Sequence, residues 1–352
     1  MTEDVLISAE RGVGRLRLNR PAAIHALTTE MCELMSDALL RWRTDSNIKA
    51  VVIDHAAGRG FCAGGDVVML AKSGDGDARN AREFFFAEYR LNHLLFTYNK
   101  PTVAIMDGVT MGGGVGISQP CTYRVATENT RFAMPETSIG LFPDVGGGWY
   151  LPRLPGRVGQ YIALTGARLD GGDCTYLGLA THFVPSSGME ELVDRIHKSP
   201  ERVQGTLGAA ADTAPDPKLS DNISSINRLF APDRLEEIIS ALESDGSEWA
   251  ENELVTLRSK SPLSCKVSLR LLAEGAGRSS FADEMRAEYA LASRIVQTHD
   301  FREGVNALLI EKHNNPEWDP PSPEGVTDEM LDKLFAPLSP DQQWTPFPET
   351  VE

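Results

Sequence analysis

The sequence predicts an α/β fold, in which a largely parallel sheet is followed by a helical C-terminal region. Two observations lead to this prediction. Short apolar runs of the buried-strand kind alternate with helical patterns between Val13 and Ala126, which is typical of βαβ crossovers. Beyond residue 200 the remaining periodicity is helical only. We therefore expect a core over residues 1–200 and a helical region with a proline-rich tail over residues 201–352.

Individual elements follow from local patterns. Thr28 and Thr29 precede apolar residues at helical spacing up to Trp42, which predicts a capped amphipathic helix. A stretch at 206–220, rich in Ala, Asp, Pro and Gly, predicts a loop. Strands are predicted at 13–18, 50–53, 102–106 and 123–126, and C-terminal helices at 234–242, 249–257, 263–272, 281–296, 301–312 and 327–335.

Composition excludes several classes of protein. The net charge of −16 over 352 residues argues against binding nucleic-acid phosphates, which requires clustered cations. No apolar stretch is long enough for a membrane span, and no leader peptide is visible, so a cytoplasmic location is expected. Five scattered cysteines indicate buried thiols, and the histidines lack metal-ligand spacing. We expect neither a metal nor a redox cofactor.

Glycine is concentrated in three segments, at 58–66, 111–116 and 142–148. Such segments let a backbone approach a ligand closely, and exposed N–H groups can bind developing negative charge. The alternative is that these glycines serve only turns and packing. A loose dinucleotide-binding pattern at 58–63 is weak, because Gly64, Gly65 and Asp66 follow where a helix should begin.

Three acids stand in apolar sequence surroundings: Glu88 among aromatic residues, and Glu136 and Asp144 each after a proline. Burial raises the pKa of a carboxyl group toward the range useful for acid–base catalysis. The alternative is that each acid caps a helix or pairs with an arginine nearby in the sequence. The candidate partners are Arg82, Arg90 and Arg131.

Ordered motifs at 18–21, 61–66, 111–114 and 135–141 resemble the crotonase (enoyl-CoA hydratase/isomerase) superfamily. Longer strings at 84–92, 110–116, 132–148 and 299–305 resemble its hydrolase branch. The resemblance implies a ClpP/crotonase-like spiral of ββα turns rather than a doubly wound sheet, with C-terminal helices closing the acyl pocket. It also implies an acyl-coenzyme A substrate, with coenzyme A entering as part of that substrate, and a possible homo-oligomer, a trimer or hexamer.

The same resemblance implies a set of site residues. The oxyanion hole corresponds to the backbone N–H groups of Ala63 and Gly113, which would stabilise charge on the thioester oxygen. Glu136 and Asp144 are the expected catalytic acids. The residues expected to bind the substrate are Glu88, Gly113, Glu136, Asp144 and Asp66.

Two positions depart from the family pattern. Hydratases of the superfamily carry a first catalytic glutamate where this chain has Gly116. His25 stands where the family usually has asparagine. The expected reaction is therefore hydrolysis of a short 3-hydroxyacyl-CoA thioester, foremost 3-hydroxyisobutyryl-CoA in valine catabolism. The alternatives are an enoyl-CoA hydratase or isomerase with a single acid, and a non-catalytic crotonase-like binding protein.

The expected mechanism leaves two routes open for Glu136. It could activate a water molecule as a general base, or attack the thioester to give a mixed anhydride that water then cleaves. Asp144 would hold the 3-hydroxyl group of the substrate or assist proton transfer.

Overall fold

The computed structural model describes residues 4–348 of the chain. Its strands are β1 (Val5–Glu10), β2 (Val13–Leu18), β3 (Ala50–His55), β4 (Gly60–Cys62), β5 (Thr102–Met106), β6 (Val109–Met111), β7 (Tyr123–Ala126), β8 (Arg131–Ala133) and β9 (His182–Phe183). Its helices are α1 (Thr29–Thr44), α2 (Val67–Gly74), α3 (Arg79–Phe96), α4 (Gly113–Ser118), α5 (Gly147–Tyr150), α6 (Val158–Thr165), α7 (Gly171–Tyr176), α8 (Met189–Lys198), α9 (Val203–Ala210), α10 (Ile223–Leu229), α11 (Leu235–Asp245), α12 (Glu248–Arg258), α13 (Pro262–Ala276), α14 (Phe281–Ile295), α15 (His299–Val305) and α16 (Asp328–Phe335).

The strands form two sheets. The larger has the order β1-β2-β3-β5-β7-β9 and is parallel throughout except for the β1–β2 pair. The smaller has the order β4-β6-β8 and is parallel. Each of β3, β5 and β7 is followed within a few residues by a strand of the smaller sheet, so successive ββ pairs stack as turns of a spiral. The predicted parallel sheet is confirmed.

The sequence predicted strands of the larger sheet but none of the smaller one. The strands β4, β6 and β8 have three residues each, which is too short for a hydrophobic period to be visible. They are set by pairing between segments distant in sequence. These short strands matter for function, because each leads directly into one of the segments that build the site described below.

The C-terminal helices pack on the core. α14 lies against α3, and α13 lies against α5 and α6. One cluster of buried apolar side chains runs from Val5 to Trp344 and includes residues on both sides of position 200. Five of the six predicted C-terminal helices are present as α11, α12, α13, α14 and α16, and all five cysteines are buried and free as predicted. The division at residue 200 stays a prediction.

Two boundaries differ from expectation. The predicted loop at 206–220 begins only after α9, which ends at Ala210. Val203 and Leu207 of that helix are buried in a second apolar cluster behind the larger sheet, so tertiary packing stabilises a helix that local composition disfavours. The predicted helix at 301–312 is instead α15, followed by a π-helical turn, Asn306–Ile310.

Gly140 joins the core to the C-terminal region. It ends the 3-10 turn Glu136–Ile139 with a φ of +74°, and an added Cβ would collide with the backbone of Asp300 in α15. Gly246 ends α11 with a similar φ of +72°, yet a Cβ there would meet nothing within 4 Å. Substitutions at the two glycines therefore distinguish the effect of backbone strain on stability, which both positions share, from the effect of close packing, which only Gly140 has.

We expect Gly246→Ala to lower the free energy of unfolding by about 1–2 kcal/mol, the cost of a left-handed alanine. Gly140→Ala should lower the free energy of unfolding by about 1–3 kcal/mol more than Gly246→Ala, because overpacking adds to the same backbone strain. Urea denaturation of both variants measures the difference. Equal losses would contradict the close approach of α15 to the turn that begins at Glu136.

Candidate active site

Three carboxyl groups from distant parts of the chain meet inside the spiral. Glu88 comes from the middle of α3, Glu136 begins the 3-10 turn after β8, and Asp144 lies in the loop before α5. They are 2%, 4% and 4% exposed. Within residues 4–348 none of the three forms an ion pair. The structure therefore brings together the three acids that the sequence singled out, and the alternative, in which each acid pairs with an arginine, is not observed among these residues.

The nearby arginines have other contacts. The guanidinium carbon of Arg90 lies 4.4 Å from the centre of the Phe86 ring, on the side of α3 that faces the tail. Arg131 donates to backbone carbonyl groups, including that of Glu128 at 3.1 Å. The buried acids are thus left without cationic partners, which is an unusual and costly arrangement for a charged group.

Burial dominates the electrostatics of the three acids. It raises the pKa of Glu88 well above its usual range, and the neighbouring Asp144 and Glu136 raise it further. Burial and then Asp144 raise the pKa of Glu136. The pKa of Asp144 rises to about 7, also through burial, although a hydrogen bond from Tyr89 opposes the shift. Such a cluster holds protons near neutral pH and can exchange them.

Two of the carboxyl groups reach the glycines at the start of α4. Glu88 Oε1 lies 2.5 Å from the position of a Cβ on Gly113, and Glu136 Oε1 lies 3.3 Å from that of a Cβ on Gly112. Glu88 Oε1 and Glu136 Oε2 are buried and have no hydrogen-bond partner in the described part of the chain. Any side chain at Gly113 would displace Glu88, so glycine is required there by close approach.

Gly113 is the first residue of α4, so its N–H group has no acceptor within the helix. The second predicted donor, Ala63, is wrong for this structure. Its N–H group donates to the carbonyl oxygen of Ile24 at 2.9 Å and is not available to a substrate. The candidate for a second donor in the loop after β4 is therefore a different N–H group.

That group belongs to Gly65. The carbonyl oxygen of Gly64 accepts the N–H of Leu27 at 2.8 Å, and in a trans peptide the N–H points away from the C=O. The Gly65 N–H therefore points away from Leu27. The carbonyl carbon of Gly64 lies 3.2 Å from the Cβ position of Gly113, so this peptide and the start of α4 are adjacent. Among the described residues neither N–H has a hydrogen-bond partner.

Asp66 caps a helix in this structure. Its side chain accepts the N–H of Met69 at the start of α2 at 3.2 Å, and it lies 3.6 Å from a guanidinium nitrogen of Arg20. Aspartate is a typical N-cap residue. The expected contact of Asp66 with the substrate stays a prediction.

His25 holds the loop that carries Ile24. It is fully buried with a φ of +57°, a conformation that asparagine also tolerates. Nδ1 accepts the backbone N–H of Arg20 at 2.9 Å, so Nε2 donates to the carbonyl of Ala57 at 2.7 Å. Burial lowers the pKa of His25, which favours this neutral form. The departure from asparagine is thus structural.

Sequence reasoning missed two residues that position Asp144. Tyr89 donates to Asp144 Oδ2 at 2.8 Å, and its place beside Glu88 in α3 was a usable signal. Glu288 of α14 accepts the N–H groups of Gly146 at 2.8 Å and Gly148 at 3.1 Å. No local pattern could reveal Glu288, because it lies about 140 residues further along the chain.

Gly116 has no room for the glutamate that hydratases carry there. A Cβ on Gly116 would lie 2.7 Å from the Cβ of Val145 and 2.8 Å from Asn92 Nδ2. Val145 itself has a φ of +52°, an outlier for a β-branched residue. The packing of the Asp144 loop against α4 thus excludes a second acid at this position.

Known proteins resemble this chain over almost its whole length. The 3-hydroxyisobutyryl-CoA hydrolase, mitochondrial, of Gallus gallus is 42% identical over 344 residues, which are 95% of this chain and 89% of that protein. The protein of the same name from Xenopus tropicalis is 43% identical, again with 95% and 89% covered. The similarity extends across all the segments that build the site.

A solved structure of a carnitinyl-CoA dehydratase from Mycobacterium thermoresistibile is similar, with a TM-score of 0.94, 38% identity, and 99% of this chain and 100% of that chain covered. An enoyl-CoA hydratase from Rhodobacter sphaeroides 2.4.1 has a TM-score of 0.90, 38% identity, and coverage of 97% and 100%. The predicted crotonase-like fold is confirmed. The family model for enoyl-CoA hydratase/isomerase matches residues 13–335, and the chain belongs to this family.

Proposed function

We propose that the protein hydrolyses the thioester of a short 3-hydroxyacyl-CoA, and that 3-hydroxyisobutyryl-CoA is its foremost substrate. The observation that carries this proposal is the cluster of three buried carboxyl groups beside two unpartnered backbone N–H groups. The names of the relatives from Gallus gallus and Xenopus tropicalis support the choice of substrate. A role in valine catabolism would follow from that substrate.

The thioester oxygen accepts hydrogen bonds from the N–H groups of Gly65 and Gly113. Attack on the carbonyl carbon places negative charge on this oxygen, and two fixed donors stabilise it without reorganisation. The loss of one such donor typically costs about 10²–10³ in rate. The dipole of α4, although short, also has its positive end at Gly113.

Glu136 supplies the reacting oxygen or activates it. As a general base it removes a proton from water, the resulting hydroxide adds to the carbonyl carbon, and the C–S bond then breaks. As a nucleophile its carboxylate adds directly, coenzyme A leaves as a thiolate, and water hydrolyses the mixed anhydride. The unpartnered Oε2 of Glu136 is compatible with both routes.

Asp144 is suited to proton transfer. With a pKa raised to about 7, it is protonated in part near neutral pH and can donate a proton to the departing thiolate or to the 3-hydroxyl group. Tyr89 orients one of its oxygens, and Glu288 fixes the following glycines. These contacts leave the second carboxylate oxygen of Asp144 for the reaction.

An enoyl-CoA hydratase is the second candidate, because both solved structures described above carry hydratase or dehydratase names. Gly116 argues against it, since syn addition of water with two acids requires a carboxylate where this chain has no space. A non-catalytic binding protein is disfavoured, because unpaired buried acids destabilise a fold and need a functional reason.

Other features of the protein remain proposals. The chemistry uses protein acids and backbone donors, so we propose that no resident cofactor takes part. None of the helices within residues 4–348 is long and apolar enough to cross a membrane. The two relatives are named mitochondrial, whereas the cytoplasmic location and the homo-oligomer stay predictions.

We expect Glu136→Gln to reduce thiol release from 3-hydroxyisobutyryl-CoA by about 10²–10⁴-fold, the usual contribution of a general base. Ellman's reagent reports the thiol. Glu83→Gln is the matched control, because Glu83 lies on the exposed side of α3 and its loss should leave the rate unchanged. Loss of the enoyl absorbance of crotonyl-CoA without thiol release would favour the hydratase instead. Transfer of ¹⁸O from water into Glu136 in a single turnover would identify the anhydride route.

Tyr89→Phe should shift the pH dependence of the hydrolysis rate to higher pH. The hydrogen bond from Tyr89 stabilises ionised Asp144 and lowers its pKa, so its removal raises that pKa by about one unit. If the reaction requires ionised Asp144, the acidic limb of the pH–rate profile moves to higher pH. If it requires protonated Asp144, the alkaline limb moves to higher pH. Tyr98→Phe is the control, because Tyr98 donates to the carbonyl of Leu39 far from the acids. A downward shift would contradict this assignment.

Gly116→Glu should not create a hydratase. We expect it to lower the free energy of unfolding by at least about 3 kcal/mol, because its side chain collides with Val145 and Asn92. Gly208→Glu is the matched control, since Gly208 is also helical but has open space around it. Thermal unfolding and the absorbance of crotonyl-CoA measure both effects. A stable Gly116→Glu protein that hydrates crotonyl-CoA would overturn the steric argument.

A further inference from the structure

Asn92 is a fully buried amide without a partner. Its side chain is 0% exposed, and neither Oδ1 nor Nδ2 forms a hydrogen bond within the described residues. Buried amides in native proteins are almost always hydrogen-bonded, so an exception needs an explanation, of which a bound water or ligand is one. Asn92 follows Glu88 by four residues in α3, so both side chains lie on the same face of the helix.

This face of α3 is turned toward two glycines of α4. Glu88 Oε1 lies 2.5 Å from the Cβ position of Gly113, and Asn92 Nδ2 lies 2.8 Å from that of Gly116. Gly113 and Gly116 are three residues apart and therefore also share a face. Because neither glycine has a side chain, the two polar groups of α3 lie directly against the backbone of α4.

We propose that Asn92 and Glu88 form a subsite for a single hydroxyl group next to the thioester carbonyl. The ligand is an oxygen that both donates and accepts a hydrogen bond. Two sources supply it: the 3-hydroxyl group of the acyl chain, or the water that hydrolyses the thioester. The proposal extends the hydrolase function and depends on it only for the kinetic test below.

The chemistry of the subsite favours a neutral hydroxyl over other ligands. Asn92 offers two N–H donors and a carbonyl acceptor. Burial and neighbouring acids raise the pKa of Glu88, which favours the protonated carboxyl group, and in that form Glu88 adds one donor and one acceptor. A buried anion would have no cationic partner among the described residues here, and an apolar group would leave the amide unpaired.

The position of the subsite fits both sources. Three residues of α-helix rise about 4.5 Å, which separates Gly116 from the oxyanion donor at Gly113. A hydroxyl group on the third carbon of an acyl chain lies at a distance of the same order from the thioester oxygen. Val145, which follows Asp144, packs against Gly116 beside Asn92, so the amide lies next to the loop that carries Asp144.

The first test is a crystal structure of the wild-type protein that resolves water molecules. We expect an ordered oxygen within about 3.2 Å of Asn92 Oδ1 or Nδ2. In crystals of Glu136→Gln soaked with 3-hydroxyisobutyryl-CoA, the same place holds either that water or the substrate hydroxyl. An Asn92 amide that contacts no ligand oxygen in either crystal would overturn the proposal. This test requires no activity.

The second test compares Asn92→Leu with wild type on two substrates, 3-hydroxyisobutyryl-CoA and isobutyryl-CoA, by thiol release. If the subsite binds the substrate hydroxyl, kcat/KM falls at least about tenfold for the first substrate only. If it binds the hydrolytic water, kcat falls by a similar factor for both. Unchanged kinetics on both substrates would overturn the proposal.

Control variants distinguish the loss of the subsite from a folding defect and from a failure of the proposed hydrolase function. Asn92→Ala introduces no clash and should show the same pattern if Asn92→Leu does not fold. Ser36→Ala removes another buried, unpartnered polar atom, on α1, and should leave both substrates unaffected. A wild-type protein that is inactive on both thioesters would defeat the hydrolase function, while the crystallographic test of Asn92 would still stand.

Discussion

The site depends on one steric constraint, which is the close approach of three backbone segments to α3 and to each other. The loop after β4, the start of α4 and the loop after Asp144 meet where Gly64, Gly113 and Gly116 leave no side chain. Only because this face of α4 is bare can Glu88 and Asn92 project from α3 beside its backbone. The same approach places the N–H groups of Gly65 and Gly113 side by side. The two backbone N–H groups, the buried acids and the amide of Asn92 thus owe their positions to a single geometric cause.

The electrostatic arrangement has a cost that the rest of the fold offsets. Three acids without cationic partners are held in a buried place, and burial raises the pKa of each. The extensive apolar cluster that continues into the C-terminal helices supplies the opposing stability. Glu288 of α14 also holds the strained turn at Val145 through two backbone N–H groups. The C-terminal region therefore does more than cover the site, since it fixes the position of Asp144.

Four strands of the larger sheet, five C-terminal helices, the family and the three acids could be predicted from the sequence. These features are local or belong to long ordered motifs, so apolar runs, helical periodicity and the resemblance were sufficient to identify them. The resemblance also predicted an oxyanion donor at Ala63 and a place for Asp66 in the acyl site. Both positions lie in the same glycine-rich loop, where only the direction of each peptide group tells the donors apart.

Other features of the site depend on tertiary structure and could not be predicted from local patterns. The choice of Gly65 over Ala63 depends on which N–H group Ile24 occupies, and the exclusion of an acid at Gly116 depends on contact with Val145 and Asn92. The three-residue strands of the smaller sheet and the role of Glu288 arise from pairings between distant residues. A local pattern records the preferences of a segment for a helix, a strand or a buried face, whereas hydrogen-bond direction and free space are properties of the packed molecule.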